Sequence, residues 1–216
     1  MPYTGDVTVG GPADVHELSG LVVSKLAVGP YENNVYLLRC RSTGDQVLVD
    51  AADEPEQILQ LIGPDGLAGI VTTHQHGDHW QALADVVAAT EARTYAHAED
   101  ASGIPVETDV FLADGDTLLV GDVALRVIHL AGHTPGGLAL VYDDPQGSPH
   151  IFTGDSLFPG GVGRTTPDTF DHLLDDVETK VFATLPDETW VYPGHGKDTT
   201  LGVERPHLAE WRERRW

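Results

Sequence analysis

The chain has 216 residues, of which 41% are hydrophobic, and this size and composition predict one globular domain over residues 1–216. The net charge is −22, from 12 basic and 34 acidic residues. No run of lysine and arginine is long enough to follow a phosphate backbone, so we expect no nucleic-acid partner.

The N-terminus and the hydropathy of the chain predict its location. Residues 1–11 lack both the basic region and the apolar core of a secretory signal, and no apolar run reaches the roughly 18 residues of a membrane span. The single cysteine, Cys40, permits no intrachain disulfide, which suits a reducing compartment. We therefore expect a cytoplasmic protein without a membrane partner. The sequence leaves the oligomeric state open.

The first half of the chain predicts a meander of antiparallel strands. Its strand-like runs are separated by turn residues and cover residues 21–28, 34–40 and 46–50. A helix is predicted over 54–62, with Pro55 in its first turn and Gly63 as its stop. A short buried strand over 69–73 and a helix over 80–90 follow.

The second half of the chain alternates short strands with helical patterns. The strands are predicted near residues 93–97, 117–120, 123–130, 138–143, 150–154 and 188–192. Residues 169–185 place apolar side chains at intervals of three and four, which predicts a long helix on the outside of a sheet. This order of elements favours two sheets packed face to face, with helices outside each.

Four potential metal ligands lie together in the string THQHGDHW: His74, His76, Asp78 and His79. Packing alone does not explain them, because each would lose its hydration without gaining a large apolar contact. Imidazole and carboxylate groups are the usual protein ligands of zinc, and also of iron or manganese. The string follows a predicted buried strand and runs into a predicted helix, which is a common position for chemistry in α/β structures.

Three further residues are placed to complete such a site. His133 lies in AGHTPGG, Asp155 in TGDSLF and His195 in PGHG, and each follows a predicted strand. Each is flanked by glycine, which permits tight turns and a close approach of the backbone to a metal or a substrate. We assign none of the other histidines to the metals: His16, His97, His129, His150, His172 and His207.

Asp50, the string at 74–79, His133, Asp155 and His195, in this order, resemble the five motifs of the metallo-β-lactamase superfamily. The resemblance covers most of the chain. The strings GHTPGG, GDSLFPGGVGRT and YPGHGKDTTLGVE further resemble the short form of the glyoxalase II branch, the hydroxyacylglutathione hydrolases. This likeness implies an α+β fold, a four-layer αββα sandwich, with metals at one edge of the two sheets.

The resemblance also implies two divalent metal ions per chain, zinc as the expected metal, with iron or manganese as alternatives. One ion would be held by His74, His76 and His133, and the other by Asp78, His79 and His195. Asp155 would bridge both ions, because its two oxygens can each take one cation. Asp78 and Asp155 are the carboxylates expected to take part in catalysis, and a metal-bridging hydroxide is the expected nucleophile.

Two residues outside the ligand set have two interpretations each. Asp50 matches a position that would brace a ligand by hydrogen bonding, but it is also a common type of turn residue after a strand. Arg164, in GRTT, would contact the substrate or would hold its loop through a salt bridge.

The activity implied by the resemblance is hydrolysis of a small-molecule thioester, with an acyl-thiol as the substrate. Two alternatives share the motifs: a lactonase or ester hydrolase of the same fold, and a persulfide dioxygenase with one iron on His74, His133 and Asp155. Secreted β-lactamases of the superfamily carry a cysteine where Asp155 stands, so antibiotic hydrolysis is not expected. Only 21 residues follow His195 (216 minus 195), so the resemblance does not identify the thiol that carries the acyl group of the substrate. A binding domain without catalysis would have no need of all seven ligands.

Overall fold

Two β-sheets form the centre of the protein, as its computed structural model, which describes residues 2–215, shows. The first sheet has its strands in chain order: β1 (Asp14–Glu17), β2 (Leu21–Val28), β3 (Asn33–Cys40), β4 (Gln46–Val49), β5 (Gly69–Val71), β6 (Arg93–Ala96) and β7 (Val110–Phe111). Neighbouring strands from β1 to β4 are antiparallel, and those from β4 to β7 are parallel. The predicted meander is therefore confirmed.

The second sheet is mixed, and its strands do not follow chain order. Its members are β8 (Thr117–Val120), β9 (Val123–His129), β10 (Leu138–Tyr142), β11 (His150–Gly154), β14 (Trp190–Pro193) and β15 (Thr199–Thr200), and their spatial order is β15-β14-β11-β10-β9-β8. A separate ribbon pairs β12 (Leu157–Phe158) with β13 (Gly161–Val162). Strands β9, β11 and β14 run in the same direction, because β10 is antiparallel to β9 and β11, and β11 is parallel to β14. Their carboxyl ends therefore lie at one edge of the sandwich.

The helices cover the outer faces of the two sheets. They are α1 (Pro55–Ile62), α2 (Leu83–Thr90), α3 (Ala98–Ala101), α4 (Phe170–Asp176), α5 (Leu201–Glu204) and α6 (Leu208–Arg214). Apolar side chains of α1 and α2, such as Ile58 and Leu83, pack on the first sheet, and those of α4 and α6, such as Leu173 and Trp211, pack on the second. The predicted four-layer αββα sandwich is confirmed.

Strand β10 shows how the sequence produces these layers. Leu138, Leu140 and Tyr142 point into the apolar core between the sheets, whereas Ala139 and Val141 point into the core beneath α4. Successive side chains of a strand face opposite sides, so a strand buried on both faces reads as a continuous apolar run.

Two predicted helices differ from the structure. The helix expected from residue 80 begins at Leu83, because Gly77–His79 forms a tight 3-10 turn and the Trp80 indole donates to the carbonyl oxygen of Gln75 at 2.8 Å. The long helix expected over 169–185 is not regular, because α4 continues as a wider π-helix over Val177–Phe182. The predicted long helix is therefore present, with a change of helix type at Val177.

The short elements β1, β7, β12, β13, β15, α3 and α5 were not predicted. Each has at most four residues, too few to show a hydrophobic period. Within residues 2–215, every helix falls short of the length and apolar character needed to cross a bilayer.

Candidate metal centre

The seven predicted ligands converge at the edge where the strands end. The string from His74 to His79 follows β5 of the first sheet. His133, Asp155 and His195 lie on the loops after β9, β11 and β14 of the second sheet. The structure therefore brings together residues that are up to 121 positions apart (195 minus 74).

The first triad consists of His74, His76 and His133. Nδ1 of His76 lies 3.1 Å from Nε2 of His74 and 2.9 Å from Nε2 of His133. One ring nitrogen from each residue is therefore within reach of a common point.

The second triad consists of Asp78, His79 and His195. Nε2 of His79 lies 3.2 Å from Nε2 of His195, and Oδ2 of Asp78 lies 3.4 Å from Nε2 of His195 and 3.8 Å from Nε2 of His79. These three residues also have their ligand atoms around one point.

Asp155 lies between the two triads. Its Oδ1 is 3.4 Å from Nε2 of His79, and its Oδ2 is 3.5 Å from Nε2 of both His133 and His195. Oδ1 is buried and has no hydrogen-bond partner among the described residues. A buried carboxylate oxygen without a donor is costly, unless a cation takes the place of the donor.

The outer nitrogen of three imidazoles assigns their protonation. Nδ1 of His133 contacts the carbonyl oxygen of Arg164 at 2.7 Å, Nδ1 of His195 contacts that of Tyr31 at 2.9 Å, and Nδ1 of His79 contacts Oδ2 of Asp50 at 2.8 Å. Carbonyl and carboxylate oxygens only accept, so each Nδ1 carries the proton and donates. In the neutral rings each Nε2 then presents a lone pair to the centre.

The centre is therefore rich in acceptors that face one another at about the distance of a hydrogen bond, with few protons available between them. Lone pairs so placed repel, and a bound cation removes the repulsion. Nitrogen and carboxylate oxygen are also the donor atoms that zinc and related divalent ions prefer. The residues present fit a divalent metal.

The titration behaviour of the centre has the same cause. Although burial opposes a charge on His79, the carboxylates of Asp50 and Asp155 raise its pKa to about 10. Burial and the neighbouring His79 hold the pKa of His74 well below its usual value. Although burial opposes it, the neighbouring imidazoles of His195 and His79 keep the pKa of Asp155 well below its usual range. The centre thus contains an ionised carboxylate and attracts a cation, a role that a proton fills when metal is absent.

Comparison with known proteins identifies the family. The family model of the metallo-beta-lactamase superfamily matches residues 28–195, which is more than half of the chain. The chain belongs to the metallo-beta-lactamase superfamily. Its histidine and aspartate clusters indicate divalent-metal binding.

Among its relatives, a hydroxyacylglutathione hydrolase from Nitrosococcus oceani is 36% identical over 168 residues, which is 76% of this chain and 62% of the relative. The chain thus spans less than two thirds of that relative's length. A crystal structure of TTHA1623 in a di-iron-bound form is 34% identical, has a TM-score of 0.69, and covers 84% of this chain and 96% of its own. ETHE1 from Myxococcus xanthus is 29% identical, with a TM-score of 0.75 and coverage of 86% and 82%.

Asp50 contacts one of the predicted metal-ligating side chains, that of His79. It is 2% exposed, and it accepts from Nδ1 of His79 at 2.8 Å, from the Thr73 amide at 2.7 Å and from the Thr73 hydroxyl at 2.8 Å. The Thr73 hydroxyl oxygen is in turn 3.1 Å from Nδ1 of His74. Asp50 also has a φ of 58°, so its backbone lies in the left-handed region, which few residues other than glycine adopt.

Arg164 lines a cavity of about 630 Å³ beside the first triad. The cavity wall also includes His76, His133, Glu99, Pro135 and Asp168. Within residues 2–215 the Arg164 guanidinium forms no salt bridge; its backbone carbonyl, and not its side chain, holds His133. The structure therefore does not support the interpretation of Arg164 as a loop-holding salt bridge.

Two polar residues at this superfamily site were missed in the sequence. The Asn33 amide donates to Oδ2 of Asp78 at 3.1 Å and lies 3.4 Å from Nε2 of His195. Lys25 is fully buried and donates to Oδ1 of Asp198 at 2.6 Å and to the Gly196 carbonyl at 2.7 Å, which holds the loop after His195. The available signal was a lysine inside an otherwise apolar strand, because a buried charge requires a partner.

The unassigned histidines include one further group with ligand spacing. His97, Glu99 and His129 have ligand atoms close together, but the rings of His97 and His129 stack with centroids 4.1 Å apart and planes inclined by 14°. A metal lies close to the plane of each imidazole that binds it, and two stacked rings share no such point. Nε2 of His129 instead contacts the Pro135 carbonyl at 2.7 Å.

Proposed function

We propose that this protein hydrolyses the thioester bond of a small acyl-thiol with two divalent metal ions, zinc as the expected metal and iron or manganese as alternatives. The observation that carries the proposal is the pair of converging triads with Asp155 between them. The likeness to hydroxyacylglutathione hydrolases supports an S-acyl thiol as the substrate class.

In this proposal His74, His76 and His133 hold one ion, and Asp78, His79 and His195 hold the other. Asp155 serves both, because one oxygen faces His79 and the other faces His133 and His195. When bound, the two ions supply Lewis acidity, which lowers the pKa of a water molecule towards about 7 and stabilises charge on a carbonyl oxygen.

The chain's own residues orient the metal-ligating side chains and fix their protonation. Asp50, the Arg164 carbonyl and the Tyr31 carbonyl each hold a ligand imidazole with its proton on the outer nitrogen. Asn33 donates to Asp78 and so fixes the direction of its carboxylate. A thiolate departs without the help of a strong acid, which fits a centre whose side chains are mainly acceptors.

The cavity beside His76 and His133 is the proposed substrate pocket. Its volume of about 630 Å³ lies within the usual range for small-molecule sites. Arg164 contributes an exposed cation to its wall, so a carboxylate on the substrate would be favoured there. Asp168 and Glu99 place negative charge on the same wall and would favour an ammonium group elsewhere in the substrate.

The dioxygenase alternative assigns a single iron to His74, His133 and Asp155. It leaves Asp78, His79 and His195, whose ligand atoms lie around one point, without a metal ion. The second triad therefore favours a two-metal hydrolase. A lactonase or ester hydrolase would use the same centre. It is distinguished from a thioester hydrolase only by comparing the rates at which the protein cleaves the different substrates.

The test combines metal analysis with three assays of the purified protein. We expect about two metal ions per chain, hydrolysis of S-lactoylglutathione measured by loss of thioester absorbance, and slower hydrolysis of a lactone and of an aryl ester. A persulfide substrate should cause no oxygen uptake at an oxygen electrode. One iron per chain together with oxygen uptake would refute the proposal, and so would a lactone cleaved faster than every thioester. The His207→Ala variant is a control, because that imidazole lies near Glu210 and outside the centre.

A further inference from the structure

Asp100 is a fully buried carboxylate outside both triads, on the short helix α3. Its Oδ2 accepts from the Gln75 amide at 3.0 Å and from the Thr134 hydroxyl at 2.6 Å, and its Oδ1 accepts from the Gly136 amide at 2.8 Å. Its charge therefore has hydrogen-bond donors on both oxygens, which offsets the cost of its burial.

These partners lie beside the ligands of the first triad. Gln75 stands between His74 and His76, and Thr134 follows His133. The two segments belong to different sheets, since one follows β5 and the other follows β9. Asp100 thus connects the two loops from which the first triad is built.

Close packing supports the same connection. A Cβ atom at Gly136 would lie 2.8 Å from the Asp100 amide nitrogen and 2.9 Å from its Cβ, so this loop is pressed against α3. A Cβ atom at Gly103, just after α3, would lie 2.8 Å from Cβ of Gln75. Neither loop has room to shift towards α3, and Asp100 holds both from shifting away.

We infer that Asp100 is a positioning residue that sets the geometry of the first triad. The geometry of the second triad depends on Asp50 instead. The contrast is one of contacts: Asp50 binds His79 directly, whereas the partners of Asp100 adjoin His74, His76 and His133. The inference rests on the proposed function, because it assumes that each triad holds a metal ion.

The Asp100→Asn substitution tests the inference. The amide keeps one acceptor oxygen and replaces the other with a donor, so at least one of the Gln75, Thr134 and Gly136 donors is left without an acceptor. We expect the affinity of the first triad for metal to fall about 10- to 100-fold, the range found when such outer partners of metal ligands are removed. The affinity of the second triad should stay within about twofold of the wild type.

The measurement is a titration with Co²⁺ in the presence of a competing chelator, followed by visible absorption. His76→Ala and His195→Ala variants identify the bands of the first and the second triad. Unfolding of each protein without metal shows whether a variant is simply less stable. The matched control is Asp109→Asn, since Asp109 also accepts from a backbone amide and a hydroxyl, both of Thr94, but contacts no ligand loop.

Should Asp100→Asn fail to fold, Thr134→Val removes only the 2.6 Å hydroxyl contact and should weaken the first triad in the same selective way. Unchanged affinities in both variants would overturn the inference, as would an equal loss at both triads. If the wild-type protein bound no Co²⁺ at all, the proposed function would fail, and the inference with it. Two bound ions in the wild type with no selectivity in the variants would refute the inference alone.

Discussion

Two groups of histidines lie at opposite ends of the parallel pair β11 and β14, and they differ in how their ring nitrogens are paired. One end, where β11 and β14 begin, has His16 and His150 around the hydroxyl of Tyr192, with Nδ1–oxygen distances of 2.8 Å and 3.0 Å. The other end, where both strands finish, has the two triads around Asp155.

At the Tyr192 end the donors and acceptors match. A phenol hydroxyl donates one hydrogen bond and accepts others, so it donates to one neutral imidazole and accepts from the other. Burial lowers the pKa of both histidines, and that of His150 falls to about 4. These two rings are therefore neutral at pH 7, and their contact with Tyr192 needs no cation.

At the Asp155 end the acceptors face one another. The outer nitrogens of His79, His133 and His195 already donate to oxygens, so in the neutral rings the inner nitrogens present lone pairs to the centre. A histidine cluster is therefore recognised as a metal site by the partners of its outer nitrogens, and not by the number of its rings.

Removal of metal should affect the Asp155 end and leave the Tyr192 end unchanged. We expect a chelator to abolish hydrolysis and to lower the melting temperature by roughly 10 °C, because ligand binding at about 1,000 times Kd stabilises by about 4 kcal/mol. The shift is measured by calorimetry with and without added Zn²⁺. The His16→Ala variant, which alters only the Tyr192 end, should show the same metal-dependent shift. A melting temperature that does not change when metal is removed would contradict the assignment of the Asp155 end as a metal site.

A smaller loss of activity is expected when the charge of Asp155 alone is removed. Asp155→Asn removes the charge between the triads, and we expect kcat to fall by about 100- to 1,000-fold, the scale of losing one preorganised electrostatic partner. Asp144→Asn is the control, because Asp144 accepts from the Ser19 amide at 3.1 Å at the other end of the sandwich. Its kcat should stay within about twofold of the wild type. Equal losses in both variants, measured by steady-state kinetics, would contradict the assignment of Asp155.

A pH-dependent loss of stability, due to His150 at the Tyr192 end, is the smallest of these effects. The pKa of His150 is about 4 in the folded protein and 6.5 in its ordinary state, so the unfolded chain binds a proton more tightly. His150 therefore contributes full stability above about pH 6.5, and on the order of 2 to 3 kcal/mol is lost as the pH falls to about 4.

Urea unfolding of the metal-free protein at pH 7 and pH 4 measures this loss. Since other groups titrate in the same window, the informative quantity is the difference between the wild type and His150→Gln. We expect the free energy of unfolding of the variant to depend less on pH. Identical pH dependence in the two proteins would show that His150 is not held neutral by burial.

Much of the fold could be predicted because its signals are local. Long strands such as β2 and β9 read as apolar runs, and α1 carries its own start at Pro55 and its stop at Gly63. The same kind of pattern predicted the long helix over 169–185 but not its type, since apolar spacing of three and four does not distinguish an α-helix from one with a π-helical turn. Two-residue strands such as β7 depend wholly on their neighbours.

Residues of the candidate site could likewise be predicted only where their signal was local. The seven ligands could be proposed because each lies in a short glycine-containing string that follows a strand, and the order of these strings resembles one superfamily. Asn33, Lys25 and Asp100 gave no comparable signal. Their partners lie far along the chain, 45 residues away for Asp78 and 173 for Asp198.

By itself, the sequence determined which side chains are able to bind metal and that they follow strands. The tertiary structure sets where these imidazoles carry their proton, because it places the atom that each outer nitrogen meets. A carbonyl or carboxylate oxygen there leaves the inner lone pair for a cation, whereas the Tyr192 hydroxyl satisfies His16 and His150 without one.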